Sequence, residues 1–173
     1  MTKTEFVKKY YPDAARIGEM FFMPATAVLA QAAHESAWGK SAPGYNFFGM
    51  TASGSWKGKR QLLKTTEYHS TRNVRYPVII SIAYSSAMKA YKYIVRRYFR
   101  LYSDALFCFY DYAWNLATND RYARAFSYQD DAVNFLTEIA KAGYATDPQY
   151  LNKILAVHNS ILKELEYIEN NQA

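Results

Sequence analysis

A mostly α-helical (α+β) chain with one short β-region is the fold class this sequence predicts. Three observations predict it. Long segments towards both ends place apolar residues at helical spacing, as in Phe6, Tyr10, Ala14, Ile17 and Phe21. One internal stretch, Pro77 to Tyr84 (PVIISIAY), is β-branched and aromatic instead. No Gly/Ser linker, low-complexity block or internal repeat divides the chain, and 173 residues suit a single domain, 1–173.

The elements follow in order. Glu5 to Phe22 reads as a helix that Pro12 kinks or splits. Pro24 suits the first turn of the next helix, which should end with Gly39 as its C′ residue. Ala42 to Ser55 is a loop, punctuated by Pro43, Gly44, Gly49 and Gly54. Gln61 to Glu67 reads as a short strand. Lys89 to Arg96 is ambiguous, since Met88, Tyr91, Val95 and Tyr98 also fit one face of a helix. A hairpin turning near residues 85–87 is the preferred reading. Beyond Tyr102 the chain is helical again. Ser103 is placed to cap a helix carrying Leu106, Phe109, Tyr110, Ala113 and Leu116, and Asp104 adds a favourable N-terminal charge. Arg121 to Phe126 reads as a short helix. Ser127 is placed to cap the next, with Val133, Leu136, Ile139 and Ala140 inward. Asp147-Pro148 is a start signal for the last helix. Its inward stripe is Leu151, Ile154, Leu155, His158, Ile161, Leu162, Leu165 and Ile168.

Composition narrows the function classes. The formal charge is +6 and the isoelectric point about 9.2, which favours anionic partners: nucleic acid, an anionic membrane or the cell wall. Seventeen tyrosines suit sugar rings and nucleobases alike. The single cysteine, Cys108, lies in an apolar run and reads as core. His34, His69 and His158 have no metal-ligand spacing with one another or with Cys108. There is no P-loop, dinucleotide fingerprint or G-x-S-x-G, so no cofactor is expected. No apolar run approaches the ~20 residues a membrane span needs. The N-terminal MTKTEFVKKYY lacks the apolar centre of a classical signal peptide.

Leu29 to Ser41, LAQAAHESAWGKS, carries the chemistry. At 100° per residue, Leu29, Ala32, Ala33, Ser36 and Ala37 share one side, and Gln31, His34 and Trp38 the other. Glu35 falls on the seam. A carboxyl half buried at such a seam resists ionisation, and a carboxylic acid still protonated near neutral pH can protonate a leaving oxygen. Trp38, three residues on, has the spacing of a neighbour on the same surface, placed to shield the carboxyl from water or to stack on a sugar ring.

Two further stretches join this one: Asn46-Phe47-Phe48-Gly49-Met50, and Ala142 to Tyr150 (AGYATDPQY). With Thr65-Thr66-Glu67 and Phe99-Arg100-Leu101-Tyr102, they resemble, in this order, the glucosaminidase family of peptidoglycan hydrolases. The resemblance covers nearly the whole chain. It implies a lysozyme-like helical domain with a small β-lobe, about 60–98, flanking a substrate groove. It implies cleavage of the β-1,4 bond after N-acetylglucosamine in peptidoglycan strands by a monomer that needs neither nucleic acid nor membrane insertion. Glu35 is then the general acid. Glu67 matches the lobe glutamate and is the candidate second carboxylate, unless the substrate's own N-acetyl group serves. Tyr144 matches the tyrosine beside the acid. Trp38, Asn46, Phe47, Phe48, Tyr102, Ala145, Thr146 and Asp147 are the expected substrate-binding residues.

Two rivals remain at this stage. A lysozyme or lytic transglycosylase shares a helix-end Glu-Ser but usually runs on into G-L-M-Q, where this chain has Asn-Phe-Phe-Gly-Met. A binding module without turnover, for walls or nucleic acid, would explain the charge and tyrosines but not Glu35, Glu67 and Tyr144 together. The setting, whether phage lysis, autolysis or secretion by another route, is not written in the sequence.

Overall fold

The computed structural model describes residues 1–52 and 54–171. Its contacts gather into two compact units, one of Met1–Phe48 with the chain from Tyr102 onward, the other Gly49–Leu101.

The first unit is helical. Thr2 starts α1 (Lys3–Phe21) through a reciprocal capping box: its hydroxyl accepts from Glu5 N at 3.1 Å, and Glu5 Oε2 accepts from Thr2 N at 2.7 Å. Pro12 neither splits nor ends this helix. It lies on the exposed side, as does Lys8, whose carbonyl loses its partner to the proline and is left to water. The helix stops at Phe22, which is left-handed (φ 55°). A Cβ on Gly18 would sit 2.6 Å from the Met23 carbonyl oxygen, so this tight corner excludes a side chain.

Helix α2 (Ala25–Glu35) starts after Pro24, which stands one place before the helix rather than inside it. Ala27 to Ala33 are all buried. A helix covered on every side needs neighbours on every side, and α2 packs against α1, α4 and α5. α3 (Ala105–Ala117) and α4 (Ala132–Lys141) flank a 3-10 helix, Asp120–Tyr128, which contains the short helix expected over Arg121 to Phe126. Their caps are Asp104, accepting from Phe107 N at 2.8 Å, and Asp131, accepting from Asn134 N at 3.0 Å. Ser103 and Ser127 are therefore not the caps. Val133 is exposed rather than inward; Phe135, Leu136 and Ile139 form the buried face of α4.

α5 (Tyr150–Asn170) begins later than Asp147-Pro148 suggested, and its buried line is Tyr150, Ile154, His158 and Ile161, with Leu162 exposed. His158 Nε2 meets Thr26 Oγ1 at 3.0 Å, and burial pushes its pKa down. Edge-to-face rings of Phe6, Tyr10, Phe47 and Phe109 form the aromatic centre of the unit. Cys108 is buried, as expected of a core residue.

The second unit is a three-stranded antiparallel sheet in the order β1-β3-β2: β1 Arg60–His69, β2 Val78–Ser85, β3 Ala90–Arg100. The β2–β3 hairpin resolves the ambiguity over Lys89 to Arg96 in favour of strand. β2 is bulged between Ile79 and Ser81. Tyr93 and Val95 are the buried residues of β3. Thr51 bridges Phe99 ahead of β1. No helix among the described residues is long and apolar enough to cross a membrane.

Candidate active site

Glu35 is the last residue of α2. Three successive left-handed residues follow: Ala37 (φ 49°), Trp38 (φ 59°) and Gly39 (φ 76°). The reversal is held by Trp38 N to Ala33 O at 2.7 Å, Ser41 N to Ser36 O at 2.9 Å, and Gly39 N to Ser36 Oγ at 2.9 Å. The helix thus ends four residues ahead of Gly39, and the expected i+3 neighbourhood of Glu35 and Trp38 fails. Trp38 instead packs edge-on against Phe6 at 5.6 Å, beneath the Lys3 ammonium at 5.0 Å.

Glu35 stays open to solvent along one side while protein packed behind it strips the rest of its hydration. That desolvation raises its pKa above the ordinary 4.5. Three phenols gather near it. The pKa of Tyr144 is pushed well up, first by desolvation and then by the Glu35 charge. Those of Tyr112 and Tyr150 are also raised, with desolvation the largest cause and Glu35 among the others. All three are neutral donors at any working pH.

A buried glutamine fixes them. Gln31 has no exposed surface; its Nε2 donates to Tyr150 OH at 2.9 Å, and its Oε1 accepts from Tyr112 OH. Tyr144 stacks on Tyr150 at 5.7 Å, and Tyr112 stacks on Phe48 at 3.9 Å. Gly143 (φ 75°) turns the chain out of α4 into Tyr144, and Arg121 reaches the Gly143 carbonyl at 3.5 Å. Asp147 accepts from Gln149 N at 2.9 Å and from Lys153 Nζ at 2.5 Å; the Lys153 bond, first, holds its pKa down. His34 lies 5.6 Å from Tyr150, and desolvation lowers its pKa.

Sequence reasoning missed Gln31, Tyr112 and Tyr150 as site components. The signal for Gln31 was its place four residues before Glu35, an amide inside an otherwise apolar helix.

The other expected residues fall as follows. Ala145 and Thr146 follow Tyr144 directly and keep part of their surface. Phe47 is a correction: it is 1% exposed, locked between Tyr10 and Phe109, and so cannot wall a binding surface. Tyr102 is another, being buried with its hydroxyl on Asp111 Oδ2 at 2.5 Å. Asn46 is buried, its N–H donating to the Pro43 carbonyl at 3.3 Å, and braces the loop from inside. Phe48 is buried and stacks on Tyr112. Glu67 belongs to the second unit, half-buried on β1, where it pairs with Arg97 at 3.1 Å. Among the described residues no group of His, Cys, Asp or Glu is arranged to hold a metal.

The chain is similar to known proteins over most of its length. The glucosaminidase family model, described as mannosyl-glycoprotein endo-beta-N-acetylglucosaminidase, matches residues 11–163. The peptidoglycan hydrolase FlgJ of Vibrio cholerae is 34% identical over 166 residues, covering 92% of this chain and 44% of the relative. The chain thus spans less than half the length of that relative. The solved glycoside hydrolase domain of Salmonella typhimurium FlgJ superposes with a TM-score of 0.77 at 28% identity, covering 99% of this chain and 96% of that one. A peptidoglycan hydrolase mutant from Sphingomonas sp. A1 gives 0.71 at 27% identity, with 95% and 99% covered. With the family model spanning most of its length and the lysozyme-like fold shared with these structures, the chain belongs to the glucosaminidase family of glycoside hydrolases.

Proposed function

We propose that this chain cuts the β-1,4 glycosidic bond on the reducing side of N-acetylglucosamine in peptidoglycan, with Glu35 as the general acid. The observation that carries this reading is the desolvated Glu35 carboxyl at the end of α2, close enough to the phenols of Tyr112, Tyr144 and Tyr150 for its charge to raise their pKa values. A carboxyl held in its acid form can protonate the leaving oxygen as the bond breaks. Tyr144 keeps its proton and orients the N-acetyl group or the attacking water. Ala145 and Thr146 line the same subsite. Glu67 serves as the second carboxylate, activating water, with Arg97 fixing its orientation. The chain works as a monomer and needs no nucleic acid.

Mass spectrometry of muropeptides released from purified wall tests this. Products ending in reducing N-acetylglucosamine are expected. Reducing or anhydro N-acetylmuramic acid ends would overturn the bond assignment. Release undiminished in a folded Glu35→Gln variant would overturn the role of Glu35.

A further inference from the structure

The net positive charge of this protein comes from the unit Gly49–Leu101. That unit holds eleven lysines and arginines against one carboxylate, Glu67, whereas the rest of the chain is net acidic, with ten basic residues against fourteen acidic. Strand register sorts the charges by face. Glu67, opposite Tyr93, shares its face with Leu63, Thr65, His69, Val95 and Arg97. The opposite face sets Arg60 against Arg100, Lys64 against Arg96, and Tyr68 against Lys92. β2 adds Val78, Ser81, Ala83 and Ser85 to this second face, none of them charged.

Like charges directly opposite each other weaken a sheet; this face pairs them twice, and the one carboxylate of the unit, Glu67, lies on the other face. Arg60, Lys64, Lys92 and Arg96 are exposed. The cation rows recur every four residues, about 13 Å at the usual strand rise. The Arg60 guanidinium lies over Tyr98 at 4.1 Å and that of Arg100 over Trp56 at 4.5 Å. Each ring contact orients a cation. Each also competes with a nucleobase for the same ring, which disfavours stacked nucleic acid as the occupant.

We propose that this face of the sheet docks the carboxylate-bearing peptide stems of intact peptidoglycan, as a holding surface that shares no residue with the site at Glu35. The inference rests on the peptidoglycan reading above. Under that reading the substrate is itself a polymer with carboxylates repeated along each strand, and guanidinium forks match carboxylates in a planar, two-pronged contact. A rigid ladder of cations holds such a polymer by several weak, screened contacts at once.

The test uses the full chain carrying Glu35→Gln, so that walls are bound and not cut. Its sedimentation is measured with purified sacculi, with the same sacculi after amidation of their carboxyls, and with strands stripped of stems by an amidase. Binding to intact sacculi is expected to be about tenfold tighter than to either treated form, and to weaken about tenfold with added Lys64→Gln/Arg96→Gln. The charge-keeping pair Lys64→Arg/Arg96→Lys should bind as the parent does. Relieving the Lys64–Arg96 repulsion should leave the melting temperature level or higher, which separates lost docking from lost fold. With Glu35 intact, the neutralised pair should turn over a short stem-free oligosaccharide at the parental rate.

Equal binding to amidated sacculi, parental binding by the neutralised pair, or tighter binding to double-stranded DNA than to sacculi would each overturn the docking surface. Cutting of walls alongside such a result would leave the hydrolase reading standing. Carboxylate-dependent binding by a chain that cuts nothing would do the reverse.

Discussion

Replacing Gln31 with methionine keeps the length of the side chain and removes both of its polar ends. Gln31, Tyr112 and Tyr150 are 0%, 2% and 4% exposed, so water cannot easily take over the amide's place. Two hydrogen bonds vanish, each with a net worth of about 1 kcal/mol, and two buried phenols are left short of a partner at about 1–3 kcal/mol where no substitute is found. Matched side-chain volume keeps any cavity contribution small. The expected loss is about 3 kcal/mol, or roughly 6–12 °C in melting temperature for a chain of this size. Urea unfolding followed by far-ultraviolet circular dichroism reads it as a lower midpoint with an unchanged slope. The triple variant Gln31→Met/Tyr112→Phe/Tyr150→Phe should regain most of the loss, because removing all partners together leaves nothing unsatisfied. A single variant within about 0.5 kcal/mol of the parent would refute the idea that this amide organises the phenols. So would a triple variant less stable than the single one.

Glu35→Gln should cut turnover by at least about a hundredfold with the fold intact. Because the folded-state pKa of Glu35 is raised, its contribution to stability is fully present below the unfolded value and is lost as pH rises through the folded one; the variant should therefore match or exceed the parent's melting temperature at pH 7, and the parent's alkaline rate limb should follow Glu35 ionisation. A lower melting temperature at pH 7 in Glu35→Gln would contradict this sign. Glu67→Gln should nearly abolish hydrolysis; activity above about a tenth of the parent's would hand the second role to the substrate's N-acetyl group. Tyr144→Phe should lower turnover about tenfold at nearly constant melting temperature, and full specific activity with a stability loss of about 1 kcal/mol would remove Tyr144 from the site.

The elements were legible where side-chain pattern alone decides. PVIISIAY is a strand, and the apolar spacing of α1 marks a helix that even Pro12 does not interrupt. Boundaries were less legible, because competing residues satisfy the same local rule. Ser103 and Asp104 can each cap a helix, as can Ser127 and Asp131, and the backbone that selects the aspartates is set by packing beyond the cap. Gly39 is a left-handed residue as read, but Ala37 and Trp38 are left-handed too, so the helix had already ended. At the candidate site, motif residues in sequence order pointed to Glu35 and Tyr144, which the fold brings into one unit. Gln31 and Tyr112 come together only because α2 and α3 are folded into one unit, a pairing of distant positions that no local pattern encodes. Phe47 and Tyr102 failed as surface residues for a similar reason: an aromatic side chain beside a loop suits a wall or a core equally well until its neighbours are placed.

The early stop of α2 gives Glu35 a further property. In a helix the peptide dipoles align, and their negative end gathers at the last carbonyls. Had the helix run on to Gly39, that negative end would lie a turn beyond the carboxyl. Stopping at Glu35 sets it at the residue that bears the carboxyl, where it opposes a second negative charge in the same direction as the desolvation. The backbone therefore helps to keep the proton in place without recruiting an acidic neighbour. A substitution that let Ala37 and Trp38 wind back into the helix would move that field away from Glu35 and ease its ionisation, with no change to any side chain that touches it.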